Sequence, residues 1–102
     1  MKEQTSNQQL QIELTDDIAD GIYSNLAVIA HSSSEFILDF IRIMPGVPKA
    51  NVKSRIILAP EHAKRLLYAL SDNIRKYEQE NGQIKLREES ELPPIGNVKG
   101  EA

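Results

Sequence analysis

The stretch Glu35-Phe36-Ile37-Leu38-Asp39-Phe40-Ile41-Arg42-Ile43-Met44 decides the fold. Read with a period of two, it sets Phe36, Leu38 and Phe40 on one face and Ile37, Ile41 and Ile43 on the other, beside Asp39. A strand that is apolar on both faces has to be covered on both. Asp39 breaks the apolar pattern, and a buried carboxylate with no partner is strongly unfavourable. Arg42 and Arg55 are the cations in reach, so Asp39, Arg42 and Arg55 form a candidate ion-pair set, either across strands or between subunits.

On the N-terminal side, Ser32-Ser33-Ser34 is short enough for a hairpin, and Ile22–His31 reads as the strand before it. Asp20-Gly21 closes a turn-rich stretch that starts at Thr15, with Gly21 supplying positive φ. Earlier still, Gln8–Leu14 alternates strictly, with Leu10, Ile12 and Leu14 on one face, which predicts a further strand. Residues 1–7 read as a loose polar tail.

On the C-terminal side, the two prolines of the loop 45–51 end pairing, and Val52–Leu58 forms the last strand. Ala59-Pro60-Glu61 then opens a helix: proline suits the first helical position, and the glutamate suits the positive end of the dipole. Ala63, Leu66, Leu67, Leu70, Ile74 and Tyr77 recur at the spacing of one helical face, and Asn81-Gly82 gives the stop. Leu66, Leu70 and Ile74 are expected to pack on the sheet. Residues 85–102 are rich in glutamate, contain a Pro-Pro pair and read as a disordered tail.

The expected architecture is therefore α+β: four mainly antiparallel strands followed by one long C-terminal helix, in a single domain over 8–84. Short connectors favour antiparallel neighbours. A body of that size buries too little surface to be comfortable alone. One helix covers only one side of a sheet, so the chain is expected to be dimeric or docked on a partner.

The chain has 102 residues, 40% of them hydrophobic, and no cysteine. That excludes a two-domain enzyme, a disulfide framework, a thiolate nucleophile and a cysteine-based zinc site. No apolar run approaches the roughly 20 residues of a membrane span. Met1–Leu10 lacks the apolar core of a secretory signal, so a cytoplasmic protein is expected.

Charge is segregated along the chain. Residues 1–41 are acidic, with Lys2 as their one basic residue, and 77–102 are acidic again. Residues 42–76 carry Arg42, Lys49, Lys53, Arg55, Lys64, Arg65, Arg75 and Lys76 against Glu61 and Asp72. Such a block either neutralises the acidic ones or meets a partner. Lys53, Arg55, Lys64 and Arg65 are the candidate partner-binding patch, where an arginine fork suits a carboxylate or phosphate.

Chemical motifs are sparse. His31 and His62 are separated by about 30 residues with no ligand spacing, and Asp16, Asp17 and Asp20 lack the pattern of a calcium loop. Ser32, Ser33 and Ser34, flanked by His31 and Glu35, supply on paper a nucleophile, a base and an acid, but neighbours on a strand point to opposite faces. Neither a catalytic residue, a metal nor a cofactor is assigned, and the chain is read as a non-enzyme. Nucleic-acid binding by the segment 42–76 is the alternative; aromatics are 5% of the chain and lack a stacking motif.

Taken together, Tyr23-Ser24-Asn25-Leu26, His31-Ser32, Glu35-Phe36, Asp39-Phe40, Pro45-Gly46, Pro60-x-His62-Ala63-Lys64-Arg65-Leu66, Asn73-Ile74 and Tyr77-Glu78 resemble one family. It is the domain of unknown function numbered thirty-four sixty-seven, short proteins of bacteria and archaea, and the resemblance covers about residues 9–84. It carries no catalytic residues over. In Bacteroidota such proteins are often encoded beside the large RNA polymerase subunit genes, so the resemblance implies a transcription-associated partner. The resulting expectation is a homodimeric protein-interaction module, with RNA polymerase as its most specific partner.

Overall fold

The computed structural model describes residues 9–87. Its elements are a short helix α1 (Asp16–Ala19), strands β1 (Leu26–His31), β2 (Phe36–Arg42) and β3 (Asn51–Leu58), and the long helix α2 (Pro60–Asn81). The strands form one antiparallel sheet in the order β1-β2-β3, so the doubly apolar strand is central. The α+β class and the C-terminal helix are as the sequence predicts. Among the described residues the strands number three, not four.

The expected strand over 8–14 is the one that differs. Residues 9–15 run without secondary structure, and Leu10, Ile12 and Leu14 stand exposed. Alternation sets which side chains share a face, but a strand also needs a neighbour's hydrogen bonds, and this segment pairs with neither sheet edge. The next strand is also shorter than its pattern, because Ser24 and Asn25 close the ladder with their side chains. Ser24 Oγ donates to the carbonyls of Leu26 and Ile41, both at 3.0 Å. Asn25 Nδ2 donates to the Ile43 carbonyl at 3.0 Å, while its Oδ1 accepts from the Ile43 amide at 2.7 Å.

Register follows from the hairpins. His31 opposes Phe36 across the serine turn, where Ser32 Oγ accepts from the amides of Ser34 and Glu35. Between β2 and β3 the chain turns at Gly46, whose φ of 78° is left-handed and suits glycine. The pairing shifts between Phe40, opposite Ser54, and Ile41, opposite Val52, leaving Lys53 as the extra residue of a bulge.

The core is small. Among the described residues the buried apolar side chains are Ile37, Leu38 and Ile41, all on β2. Their cross-strand neighbours remain largely open: Ile29 and Ile56 beside Leu38, and Ile57 beside Ile37. The expectation that Leu66, Leu70 and Ile74 pack on the sheet is overturned. Leu67, Leu70 and Ile74 are 60%, 54% and 40% exposed, and Leu66 is exposed too. The reason is the connection. Only Ala59 separates β3 from α2, and the helix approaches the sheet chiefly along β3, to which it is joined. A crossover of one residue gives the helix no length in which to fold back over β1 and β2.

The tails expected over 1–7 and 85–102 lie outside the described residues, except for 85–87, which follow the helix without regular structure.

Candidate interaction surfaces

Asp39 is the one buried charged residue among the described ones, with 3% of its surface exposed. It faces Val28 and Arg55 across its two neighbouring strands. Arg55 Nε reaches Asp39 Oδ1 at 2.7 Å and Nη2 reaches Oδ2 at 2.8 Å, a two-pronged pair. These hydrogen bonds outweigh burial and hold the Asp39 carboxyl below its usual range, while Arg55 is raised. Arg42, the other member of the candidate ion-pair set, lies elsewhere: its guanidinium stacks over the Tyr23 ring at 6.0 Å.

That pairing redraws the candidate patch of Lys53, Arg55, Lys64 and Arg65. Arg55 is committed to Asp39 on the sheet. Arg65 is bonded to Glu61 one turn earlier on α2, which lowers the Glu61 carboxyl. Lys53 and Lys64 are the two that carry no acidic partner among the described residues. The patch is thus not one free positive surface, because two of its four cations are neutralised by carboxylates that pattern reading left out of it.

A different group of cations converges instead. Arg42, Lys49 and Lys53 line a cleft of about 120 Å³ together with Asn51, Met44 and Val47. The β2–β3 turn brings Lys49 over, and the bulge re-aims Lys53. None of the three cations has a carboxylate partner among the described residues. Sequence reading found the basic block but had no signal for this convergence, since it depends on a turn and a one-residue register shift.

His31 and Ser32, which the sequence sets beside Glu35, both serve the hairpin. The His31 ring stacks on Phe36 with centroids 5.4 Å apart, and Ser32 Oγ is held by turn amides. At α1, the Thr15 hydroxyl donates to Asp17 Oδ1 at 2.6 Å and lowers that carboxyl. Among the described residues no cluster of three or more metal-ligating side chains exists, and no helix is long and apolar enough to cross a membrane.

The largest unfilled requirement is on α2. Its 22 residues, about 33 Å long, present Ala63, Leu66, Leu67, Leu70, Ile74 and Tyr77 down one side. Gly82 breaks the helix with φ of 89°, and its amide bonds the Glu78 carbonyl at 3.0 Å. The chain then turns so that the Ile84 amide bonds Glu78 Oε2 at 2.9 Å. This brings Ile84 beside Asn73, Ile74 and Tyr77, around an open apolar cleft of about 400 Å³. Half-exposed leucine, isoleucine and tyrosine side chains thus form one contiguous apolar row along the helix.

A family model described as "Protein of unknown function (DUF3467)" matches residues 1–86. No curated protein and no solved structure matches the chain.

Proposed function

The chain belongs to the DUF3467 family, and from that premise we propose that it is a non-enzymatic protein-interaction module that works in the cytoplasm as a homodimer. One observation carries this reading: the apolar side of α2 stands away from a core in which, among the described residues, three aliphatic side chains are buried. A single copy buries too little to offset the entropy of ordering its backbone, and association supplies the missing burial. Light scattering across a dilution series tests it, with a dimer mass expected at micromolar concentration. A well-folded monomer at every concentration would remove the reading.

The most specific version, a role as an RNA polymerase accessory, rests on the family resemblance. Affinity purification of the tagged chain from its native cells, followed by mass spectrometry, should recover polymerase subunits. Their absence retires that version and leaves the homodimer standing.

The cation cleft supports a second reading, nucleic-acid binding through Arg42, Lys49 and Lys53. Phosphate contacts make affinity fall linearly with the logarithm of salt concentration. Changing Lys49 and Lys53 together to Gln should then reduce that slope by about two. A slope unaffected by the substitutions rejects the cleft as a phosphate site.

A further inference from the structure

We propose that α2 pairs antiparallel with α2 of a second copy of this chain, about a two-fold axis that passes between Leu70 and Ile74, level with Asp72 but on the opposite side of the helix. This inference rests on the homodimer reading and specifies its interface.

The first support is the repeat. Ala63, Leu67, Leu70, Ile74, Tyr77 and Asn81 follow one another at alternating steps of four and three, the seam spacing of paired helices. A seam of this spacing is what a helix offers to a single partner helix, and Leu66 flanks it on one side. The antiparallel arrangement sets Leu70 of each copy against Ile74 of the other, Leu67 against Tyr77, and Ala63 against Asn81. Leu67 of the second copy then enters the cleft formed by Ile74, Tyr77 and Ile84.

The second support is independent: the charges on α2. Most of them are satisfied within the helix. Arg65 bonds Glu61, and Asp72 takes both Arg75 at 2.5 Å and Lys76 at 3.2 Å. Lys64 is the basic residue of α2 with no acidic partner among the described residues. Glu78 and Glu80 are the acidic residues with no basic one. These unmatched charges stand at opposite ends of the helix, and Lys64 and Glu78 border the same side of the seam. Antiparallel pairing brings Lys64 of each copy to Glu78 of the other, twice per dimer. Glu78 uses Oε2 to hold the Ile84 amide, which leaves Oε1 for the lysine. Parallel pairing would collect both copies of Glu78 and Glu80 at one end and both lysines at the other. It would also align the helix dipoles, whereas the antiparallel pair opposes them.

Because the chain has no cysteine, single substitutions report the arrangement directly. Under mild oxidation, Ser71→Cys, next to the axis, should form a disulfide between copies. Asn81→Cys alone should not, but mixed with Ala63→Cys it should link to that variant. In the full chain, Lys64→Glu should raise the dimer dissociation constant about tenfold by replacing two attractive pairs with repulsive ones. Adding Glu78→Lys should restore it. A disulfide from Asn81→Cys alone and none from Ser71→Cys would establish parallel helices and overturn the register while sparing the homodimer. A dimer by light scattering that neither variant links, or that Lys64→Glu leaves unchanged, would place the interface away from α2. A monomer would overturn the homodimer as well.

Discussion

Replacing Leu70 by Ala tests whether the apolar side of α2 is a contact surface or merely a greasy one. Leu70 is 54% exposed in the single chain, so roughly half of its apolar surface has yet to leave water. Full burial of a leucine side chain is worth about 2 kcal/mol, so the half still available is worth about 1 kcal/mol. A two-fold symmetric dimer buries the same residue twice, which makes the loss about 2 kcal/mol per dimer. That corresponds to a rise of about thirtyfold in the dissociation constant. Alanine is the best helix former, so the substitution does not weaken α2 itself. Sedimentation equilibrium over a concentration series measures the constant, and far-ultraviolet circular dichroism checks that helix content holds. A dissociation constant within twofold of the parent, with helix content unchanged, would refute the reasoning, because Leu70 would then be solvent-facing in the assembled protein.

Other consequences concern the sheet. Leu38→Ala, in the small core of β2, should destabilise the fold by about 3 kcal/mol, read as a lower urea midpoint. Asn25→Ala removes two bonds to the Ile43 backbone and should cost about 1–2 kcal/mol, with hydrogen exchange accelerated at the Ile43 amide. The Asp39 pair makes stability depend on pH in a fixed direction. Arg55 lowers the folded-state pKa of Asp39, so its contribution is complete above the ordinary carboxylate value of 3.8 and is lost as pH falls through the depressed folded value. Urea midpoints measured from pH 7 to pH 2 should fall accordingly, and Asp39→Asn should remove that part of the acid dependence. A slope unchanged by Asp39→Asn would assign the acid loss to Asp17, Glu61 and Asp72, whose carboxyls are lowered too.

The single chain has little interior. Three buried aliphatic side chains and one ion pair are a thin interior for 79 described residues. Chains of this size commonly need a disulfide, a metal or a second subunit, and this one has no cysteine. The surface that would complete the core is already present and ordered on α2. The helix itself is locally complete: Pro60 starts it, Gly82 ends it, and Asn73 and Asn81 side chains bond the carbonyls of Ala69 and Tyr77.

Local pattern was enough for the central features. Period-two alternation located β2 and its two apolar faces, and the Pro60 and Gly82 signals bounded α2 to within a residue. Asp39 stood out as needing a cation because the strand from Phe36 to Ile41 is otherwise apolar. These readings succeed because turn chemistry, helix caps and side-chain period act over a few residues. The choice of Arg55 over Arg42 required the register of β2 against β3, which sets Asp39 opposite Arg55 and leaves Arg42 beside Tyr23. Strand status for the described part of that segment, residues 9–14, depended on whether an edge lay within hydrogen-bonding distance, which alternation cannot report. The exposure of Leu67, Leu70 and Ile74 was decided by the one-residue link between β3 and α2. An amphipathic period shows that a helix must bury one side; only the path of the chain in three dimensions shows that its own sheet is out of reach.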